Sequence, residues 1–307
     1  MRALLVTNPK ATATSPRVRD VIINALSSHA QVEVAHTDHR GHAIELGARA
    51  TRDGFDLVIA LGGDGTVNEL VNGLLTNGPS QHVPALAALP GGSANVFART
   101  LGISNDPIEA TGQLLEALET GRRRSISLGK MEGRWFVFTA GIGFDAAVVH
   151  GVEMHRSDGR KASPTLYART AIRDFFVGSQ RRHTRMRVTT PDGVVVDDAF
   201  LCIVTNTTPW TYYKQTAVQI TPEASYETGL DLFALTKVGA AGVGRLLWQV
   251  TRANPRPHGR RVVIEHDLQQ IEITSQAPLP VQVDGDYAGD FECVRLVGVP
   301  DALTVVC

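Results

Sequence analysis

LGGDGTVNE at residues 61–69 decides the fold, because this stretch joins a buried-strand pattern to a helical one. Residues 56–61 read DLVIAL, the short continuous apolar run that a buried parallel strand requires. Apolar residues then recur at helical spacing over residues 67–74. The glycines in between let the backbone approach a ligand closely, and the start of a helix presents unpaired N–H groups to an anion. The stretch therefore predicts a strand–turn–helix unit with an anion-binding turn.

The acidic residue inside this turn has two interpretations. Asp64 makes most sense beside phosphates if a divalent cation such as Mg²⁺ accompanies them. Alternatively the turn is simply tight, and Asp64 accepts hydrogen bonds from backbone N–H groups. One glycine-rich turn alone leaves both interpretations open.

A second strand–turn–helix unit follows in the chain. Residues 84–89 form another apolar run, and PGGSAN at residues 90–95 leads into a helical pattern. Ser93 or Asn95 is expected to cap the start of that helix, and Gly102 is placed to end it.

The chain also opens with such a unit. Residues 3–7 are strand-like and lead through Asn8-Pro9-Lys10 towards a helix. Because the carboxyl ends of parallel strands meet at one edge of a sheet, the three polar turns should converge there. Their convergence predicts a nucleotide site.

With these motifs the sequence resembles the bacterial diacylglycerol kinase catalytic family, which also includes sphingosine and ceramide kinases. The matching pieces are Asn8-Pro9, GGDGTVNE at 62–69, PGGSANVFAR at 90–99, GIGFDA at 141–146 and VDGD at 283–286. They follow the order of the family and cover nearly the whole chain. GGDGT alone is shared with NAD kinases and phosphofructokinase-like proteins, whereas the later segments make the resemblance more specific.

The resemblance implies an ATP- and Mg²⁺-dependent kinase that transfers the γ-phosphate of ATP to a lipid hydroxyl. The first candidate substrate is diacylglycerol, whose phosphorylation gives phosphatidic acid. Asp64 would hold the Mg²⁺. Asp286 would be the general base, with Asp284 and Asp145 shaping the site. ATP would contact residues of the three turns and three residues from a neighbouring loop and helix: Asn8, Pro9, Lys10, Thr37, Gly62, Gly63, Asp64, Gly65, Thr66, Asn68, Glu69, Gly91, Gly92, Ser93 and Asn95.

Several positions depart from the family's pattern. Asp286 stands where the family has glutamate, and a displacement of about 1 Å can lower a rate on the order of a hundredfold. Val96 follows Asn95 where the family commonly has aspartate, and Ser93 replaces threonine. Thr228-Gly229 stands in place of the Asp-Gly pair at the family's second, structural magnesium site.

Length and pattern indicate two domains in a chain of 307 residues. Residues 1–124 alternate strand and helix, which predicts an α/β nucleotide domain with a parallel sheet, like that of NAD kinase and phosphofructokinase. Residues 125–307 predict an antiparallel β-sandwich with helical insertions that binds the lipid substrate, with a cleft between the domains. By the resemblance, the last strands, about residues 295–307, can return to the first domain. Three helices are predicted in the second domain: at 146–155, 165–177 and 238–253.

The composition of the chain limits which binding partners and which cellular compartment we expect. A formal net charge of −1 gives no overall attraction to nucleic acid, and no apolar stretch approaches the ~18 residues of a membrane-spanning helix. The strand-like start does not read as a signal peptide, and three cysteines in apolar contexts read as buried free thiols. We therefore expect a cytoplasmic protein in peripheral contact with the inner face of the membrane that presents its lipid. Whether the protein forms a homodimer stays an open question.

Two other motifs are weighed and set aside. His36, His39 and His42 are spaced by three, but only Asp38 could complete a ligand set, so a polar loop is expected. GIGFDA at 141–146 is not followed by the acidic residue at the end of the next strand that a dinucleotide-binding site requires. Two alternative functions stay open: an NAD kinase, and a catalytically weak lipid-binding or regulatory protein.

Overall fold

The computed structural model describes residues 1–9, 15–157, 185–213, 215–237, 240–252 and 254–307. The chain divides into two compact units. The first comprises Met1–Leu128 together with Pro300–Cys307, and the second comprises Gly129–Val299. The domain boundary predicted from the sequence, between residues 124 and 125, lies four residues before this division. The return to the first unit begins at Pro300, against the predicted position near residue 295.

The first unit alternates strands and helices. Its strands are β1 (Arg2–Thr7), β2 (Gln31–His36), β3 (Leu57–Gly62) and β4 (Ala85–Pro90), and β5 (Arg123–Met131) leads into the second unit. Its helices are α1 (Pro16–Ser27), α2 (His42–Arg52), α3 (Asp64–Leu74), α4 (Val96–Thr100) and α5 (Pro107–Thr120).

A parallel sheet with the order β2–β1–β3–β4 forms the centre of the first unit. Every residue of β3 and of β4 is buried, as their continuous apolar runs predict for central parallel strands. The end of the last strand of the chain extends this sheet, because Val305 pairs in parallel with Leu86 of β4. The parallel α/β class predicted for this part of the chain is confirmed.

The second unit is built mainly from antiparallel strands. They are β6 (Arg134–Phe136), β7 (Thr139–Gly143), β8 (Met186–Thr189), β9 (Val195–Ala199), β10 (Leu201–Thr205), β11 (Thr211–Tyr213), β12 (Thr216–Val218), β13 (Leu230–Leu235), β14 (Val262–Leu268), β15 (Gln270–Val283) and β16 (Asp286–Val306). Two helices, α6 (Phe144–Ser157) and α7 (Ala240–Val250), interrupt them. The helix predicted over residues 165–177 lies outside the described residues.

The long strand β15 organises the second unit. Its first half pairs with β8 and its second half with β7. It also pairs antiparallel with β16, and this pairing shifts register between Thr274 and Leu279. From β7 the sheet continues through β10 and β13 to β14, each antiparallel to its neighbour. The alternating side chains of these strands enclose one apolar core, which includes Ile142, Leu232 and Ile273. The antiparallel class predicted for this part is likewise confirmed.

Three hairpins of the described residues form at glycine-containing turns. Glu132-Gly133 and Asp284-Gly285 each place two successive residues at positive φ, as a two-residue type I′ turn requires. Gly193 turns the chain between β8 and β9. The cysteines are free as predicted, but Cys293 is exposed rather than buried, because strand alternation turns it outward and Val294 inward. Within the described parts of the chain, no helix is long and apolar enough to cross a membrane.

Candidate active site

The glycine turns after β3 and β4 touch each other. The backbone N–H of Gly91 donates to the carbonyl of Gly62 at 2.8 Å. A Cβ on Gly92 would lie 2.6 Å from the Cα of Gly63, so the two turns approach more closely than any other residue type allows. The structure therefore brings together the two turns that the sequence predicts at one sheet edge. Gly65 and Ser93 are exposed at this edge.

Asp64 links the two turns. Its Oδ1 accepts a hydrogen bond from the backbone N–H of Phe97 at 3.0 Å, in the first turn of α4. Burial raises the pKa of the Asp64 carboxyl, while backbone N–H groups around Phe97 and Val96 act to lower it. The tight-turn interpretation of Asp64 is thus realised, since the carboxylate has protein partners. The interpretation of Asp64 as a Mg²⁺ ligand stays a prediction.

Asn95 fixes the second turn from within. It is buried in the left-handed region at φ 49°, where its Oδ1 accepts from the backbone N–H of Gly92 at 2.9 Å. Its Nδ2 donates to the carbonyl of Gly92 at 3.0 Å and to Oδ1 of Asn105 at 2.8 Å. The Asn95 side chain does not cap α4, contrary to the prediction. Asp64 of the neighbouring turn provides the cap, a contact between distant residues that local spacing does not reveal.

Glu69 and Asn68 face protein partners inside the first unit. The Glu69 carboxylate accepts from the backbone N–H groups of Gly41 at 2.9 Å and of Ala43 at 3.2 Å. It therefore caps α2, whose N-cap residue Gly41 has no side chain to do so. Asn68 is buried, and its carbonyl accepts from Nδ2 of Asn72. The resemblance assigns both residues to nucleotide contact, which stays a prediction; in the structure Glu69 holds the start of α2, and the Asn68 contact with Asn72 lies within α3.

The turn after β1 joins the same edge. The backbone N–H of Asn8 donates to the carbonyl of Leu61 at 3.3 Å, and that of Thr37 donates to the carbonyl of Thr7 at 2.9 Å. The ends of all four parallel strands are thus connected by backbone hydrogen bonds. A small cavity of about 50 Å³ opens here, lined by Thr7, Asn8, Pro9, Pro16, Arg19 and Leu61. Lys10 lies outside the described residues.

The remaining turn residues stabilise the start of α3. Thr66 is buried, and its backbone N–H donates to the carbonyl of Gly63 at 3.0 Å. Gly63 is the N-cap residue of this helix and supplies no side-chain hydrogen bond. The first backbone N–H groups of α3 therefore receive no cap from a Gly63 side chain, which suits an anion-binding helix start.

In the second unit, Asp284 anchors the hairpin between β15 and β16. Its Oδ2 accepts from the backbone N–H of Val137 at 2.8 Å. Its Oδ1 accepts from those of Phe138 at 3.0 Å and Thr139 at 2.9 Å. Asp284 is itself buried. Since three backbone donors occupy its oxygens, the carboxylate is a structural anchor and a poor candidate for taking a proton from a substrate.

Asp145 is tied to the same hairpin through a glutamine. Its Oδ2 accepts from Nε2 of Gln282 at 2.9 Å, and Oε1 of Gln282 accepts from the backbone N–H of Gly285 at 2.8 Å. A Cβ on Gly141 would lie 1.8 Å from the Asp145 oxygen, so the glycine makes room for the carboxylate. Burial raises the pKa of Asp145 to about 6, and the Gln282 hydrogen bond partly opposes this.

Gln282 was missed by the sequence analysis, although a signal was present. It is a buried polar residue within the otherwise apolar run LPVQV, and a buried amide has to find hydrogen-bond partners. Its hydrogen bonds to Asp145 and Gly285 connect the GIGFDA and VDGD motifs, which are far apart in the sequence.

Asp286 is the accessible carboxylate of this hairpin. Its side chain is 28% exposed, and its Oδ2 lies 3.9 Å from Nη2 of Arg134. Arg134 belongs to β6 and was not among the predicted site residues. Unlike Asp284, Asp286 keeps the partial exposure that an acceptor group for a substrate proton requires.

The position of the expected second metal site holds a carboxylate–histidine pair. Asp231 is buried, and its Oδ1 accepts from Nδ1 of His266 at 2.8 Å and from the backbone N–H of Asp267 at 3.3 Å. Asp267 in turn accepts from the backbone N–H of Gly229 at 2.7 Å. Burial raises the pKa of Asp231, and His266 acts to lower it. Thr228 places only its hydroxyl here, which donates to the carbonyl of Ser225.

The architecture and the turns define a kinase-like class of protein: a parallel sheet with glycine turns at its carboxyl edge, followed by an antiparallel unit with clustered carboxylates. Residues 2–131 match the family described as the diacylglycerol kinase catalytic domain. This part of the chain is therefore similar to that domain. The resemblance noted from the sequence is confirmed, and with it the interpretation of the chain as an enzyme of the lipid kinase class.

Similar proteins cover nearly the whole chain. A protein named diacylglycerol kinase from Staphylococcus aureus strain RF122 / ET3-1 is 27% identical over 291 residues, which are 94% of this chain and 87% of the relative. Its counterpart in strain Newman matches with the same identity and coverage. The crystal structure of a diacylglycerol kinase from Bacillus anthracis strain Sterne has a TM-score of 0.73 at 21% identity, covering 99% of this chain and 96% of that one. That similarity supports the fold.

Proposed function

We propose that this chain transfers the γ-phosphate of ATP to a lipid hydroxyl in a Mg²⁺-dependent reaction, with diacylglycerol as the first candidate substrate. The observation that carries the proposal is the contact between the two glycine turns within the matched catalytic domain, where Gly63 and Gly92 meet. The names of the relatives support diacylglycerol as the acceptor.

The turns fit a triphosphate. The start of α3 lacks a side-chain cap, and Gly65 and Ser93 are exposed beside it. Backbone N–H groups at such a helix start stabilise phosphate oxygens. Asp64 is the carboxylate available for Mg²⁺, which commonly keeps several waters and takes one or two carboxylates together with substrate phosphates. Bound there, Mg²⁺ would neutralise charge on the phosphate oxygens.

In the proposed transfer, the lipid hydroxyl oxygen attacks the γ-phosphorus while its proton passes to Asp286. The bond from the γ-phosphorus to the bridging oxygen breaks, and ADP leaves with the electron pair. Such reactions depend mainly on positioning and charge stabilisation. Arg134 lies beside Asp286, with its Nη2 3.9 Å from the Asp286 Oδ2. Asp145, held by Gln282, positions the hairpin that carries the base.

Helix α7 supports a peripheral contact with a membrane. Its inner face packs into an apolar cluster through Val243, Leu246 and Val250, yet Leu247 and Trp248 on the other side are 58% and 60% exposed. The Arg252 guanidinium lies over the Trp248 ring at 4.3 Å. Exposed tryptophan and leucine next to arginine suit the headgroup region of anionic lipid.

We therefore propose that α7 binds the cytoplasmic face of the membrane from which the lipid substrate is taken. The Trp248→Ala variant should bind less to anionic vesicles in a sedimentation assay. The Val195→Ala variant is the control, because Val195 is also exposed but lies on β9. Equal binding of the two variants would exclude this surface.

Phosphorylation assays separate the proposed function from its alternatives. The chain is incubated with labelled ATP and Mg²⁺ together with diacylglycerol micelles, with NAD, or with a total lipid extract. Label in phosphatidic acid supports the proposal. Label in NADP would instead identify an NAD kinase, and no turnover on any acceptor would favour a lipid-binding protein. A labelled lipid other than phosphatidic acid would replace diacylglycerol as the substrate.

A matched pair of glycine variants tests the nucleotide site. No protein atom lies within 4 Å of a Cβ built on Gly65 or on Gly112, which lies in α5. A valine at either position therefore meets no clash at its Cβ, and helix propensity does not disfavour it, because valine is a better helix former than glycine. If ATP lies against the start of α3, Gly65→Val weakens ATP binding and Gly112→Val does not. Equal affinity in both variants would remove this turn from the nucleotide site.

A further inference from the structure

The loop between β2 and α2 gathers three side chains that can bind a metal ion. One potential ligand atom from each of Asp38, His39 and His42 lies within 4.8 Å of the others. Among the described residues, this is the one group of three or more histidine, cysteine or acidic side chains with such spacing. Nδ1 of His42 lies 2.8 Å from Oδ1 of Asp38, and the rings of His39 and His42 stack with centroids 4.9 Å apart.

The spacing is close to what a metal ion requires. Donor atoms bonded to a four-coordinate zinc at about 2.0–2.1 Å lie about 3.4 Å from one another. Asp38 and His39 are exposed, so their side chains have room to rotate towards that geometry. Because His39 and Asp38 are exposed, the fourth position would be open to water.

An outer partner for one histidine is already in place. Nδ1 of His39 is hydrogen-bonded to Oδ1 of Asp38, and its Nε2 lies 3.5 Å from Oε1 of Glu45. Histidines that bind metals commonly donate their second ring N–H to a carboxylate, which fixes the ring and the tautomer. Glu45 lies in the first turn of α2 and occupies that outer position.

The backbone under these side chains is held firmly. Glu69 of α3 accepts from the backbone N–H groups of Gly41 and Ala43, on either side of His42. The backbone N–H of Thr37, just before Asp38, donates to the carbonyl of Thr7. The three donors therefore project from a loop that is anchored at both ends, so little chain entropy is lost when an ion binds.

We propose that Asp38, His39 and His42 form a binding site for a transition-metal ion, with Zn²⁺ as the physiological candidate and Glu45 as the outer partner of His39. Two imidazoles and one carboxylate select Zn²⁺, Cu²⁺ or Ni²⁺ over Mg²⁺, which prefers oxygen ligands. The site is separate from Asp64, and it does not depend on the proposed kinase reaction. The expectation of a simple polar loop at these histidines is replaced by this proposal.

Calorimetric titration of the full chain with ZnCl₂, in millimolar Mg²⁺, tests the site. We expect one saturable equivalent in the unmodified chain. The His39→Ala and His42→Ala variants should lose at least about 10–100-fold in affinity, since even the loss of an outer partner costs that much. His82→Ala is the matched control, because His82 is an exposed histidine on another loop and should keep full affinity.

Two readouts keep the test independent of folding and of catalysis. Circular dichroism should show the same fold in all variants, because the replaced side chains lie at the surface. Zn²⁺ should raise the melting temperature of the unmodified chain and of His82→Ala, but not of His39→Ala. A Zn²⁺ equivalent that survives both loop replacements, or no saturable Zn²⁺ binding at all, would overturn the proposal.

Discussion

Asp284 and Asp286 lie in one hairpin, and replacing each with asparagine should impair a different property of the protein. Asp284 is buried and accepts three backbone hydrogen bonds, from Val137, Phe138 and Thr139. Asp286 is partly exposed, and its Oδ2 lies 3.9 Å from Nη2 of Arg134. We expect Asp284→Asn to lose stability and Asp286→Asn to lose turnover.

The magnitude for Asp284→Asn follows from its contacts. Asparagine replaces one carboxylate oxygen with an NH₂ group, so at least one buried N–H faces a donor, at a cost of about 1–3 kcal/mol. The hydrogen bonds that remain lose their charge assistance, which is roughly half of their strength. Together these effects lower the free energy of unfolding by about 3–5 kcal/mol. For Asp286→Asn the loss should stay within about 0–1 kcal/mol, as for exposed ion pairs.

Urea unfolding and initial-rate kinetics decide between the two roles. Unfolding is followed by tryptophan fluorescence, since Trp135 and Trp210 both lie in the second unit. A general base contributes about 10²–10⁴-fold, so Asp286→Asn should lose that much turnover with its urea midpoint unchanged. Equal urea midpoints for the two variants would refute the anchoring role of Asp284. Full turnover of Asp286→Asn would show that the base lies elsewhere.

Three other residues give independent tests. Asp64→Asn keeps an oxygen that can accept from the Phe97 N–H but loses the negative charge. Mg²⁺-dependent turnover should therefore fall while the circular dichroism spectrum is unchanged. Wild-type activity in Mg²⁺ would contradict the assignment of Asp64 as the Mg²⁺ ligand. Glu69→Ala removes the cap of α2 and should cost about 0.5–2 kcal/mol in urea unfolding, more than a replacement of the exposed Glu116. Because burial raises the pKa of Asp145 from 3.8 to about 6, the folded chain holds a proton between about pH 4 and 6 that the unfolded chain has released. The contribution of this protonation to stability is greatest below that window and is lost as the pH rises through 6. The Asp145→Asn variant should therefore gain stability relative to wild type between pH 4 and 7. A difference in urea midpoints that stays constant over this range would contradict this.

Local pattern was sufficient for the elements and for the fold class. The apolar runs that became β3 and β4 are buried along their whole length, and the Asp-Gly and Glu-Gly dipeptides form the hairpins that their φ preferences demand. Such features depend on side-chain periodicity and on backbone sterics, which a sequence displays directly. The division after Leu128 differs by four residues from the predicted boundary, because β5 runs through it without a turn.

The pattern of the sequence also determined which turns belong together, since parallel strands end at one edge of their sheet. It did not determine what each polar side chain contacts. Asp64 reaches the N–H of Phe97, Glu69 reaches the loop before α2, and Gln282 joins Asp145 to the last hairpin. The contacts of Asp64, Glu69 and Asp145 join residues 26 to 137 positions apart in the chain, whereas the Gln282–Gly285 contact is local. Buried polar groups must find hydrogen-bond partners, but which partner each one finds is decided by tertiary packing alone.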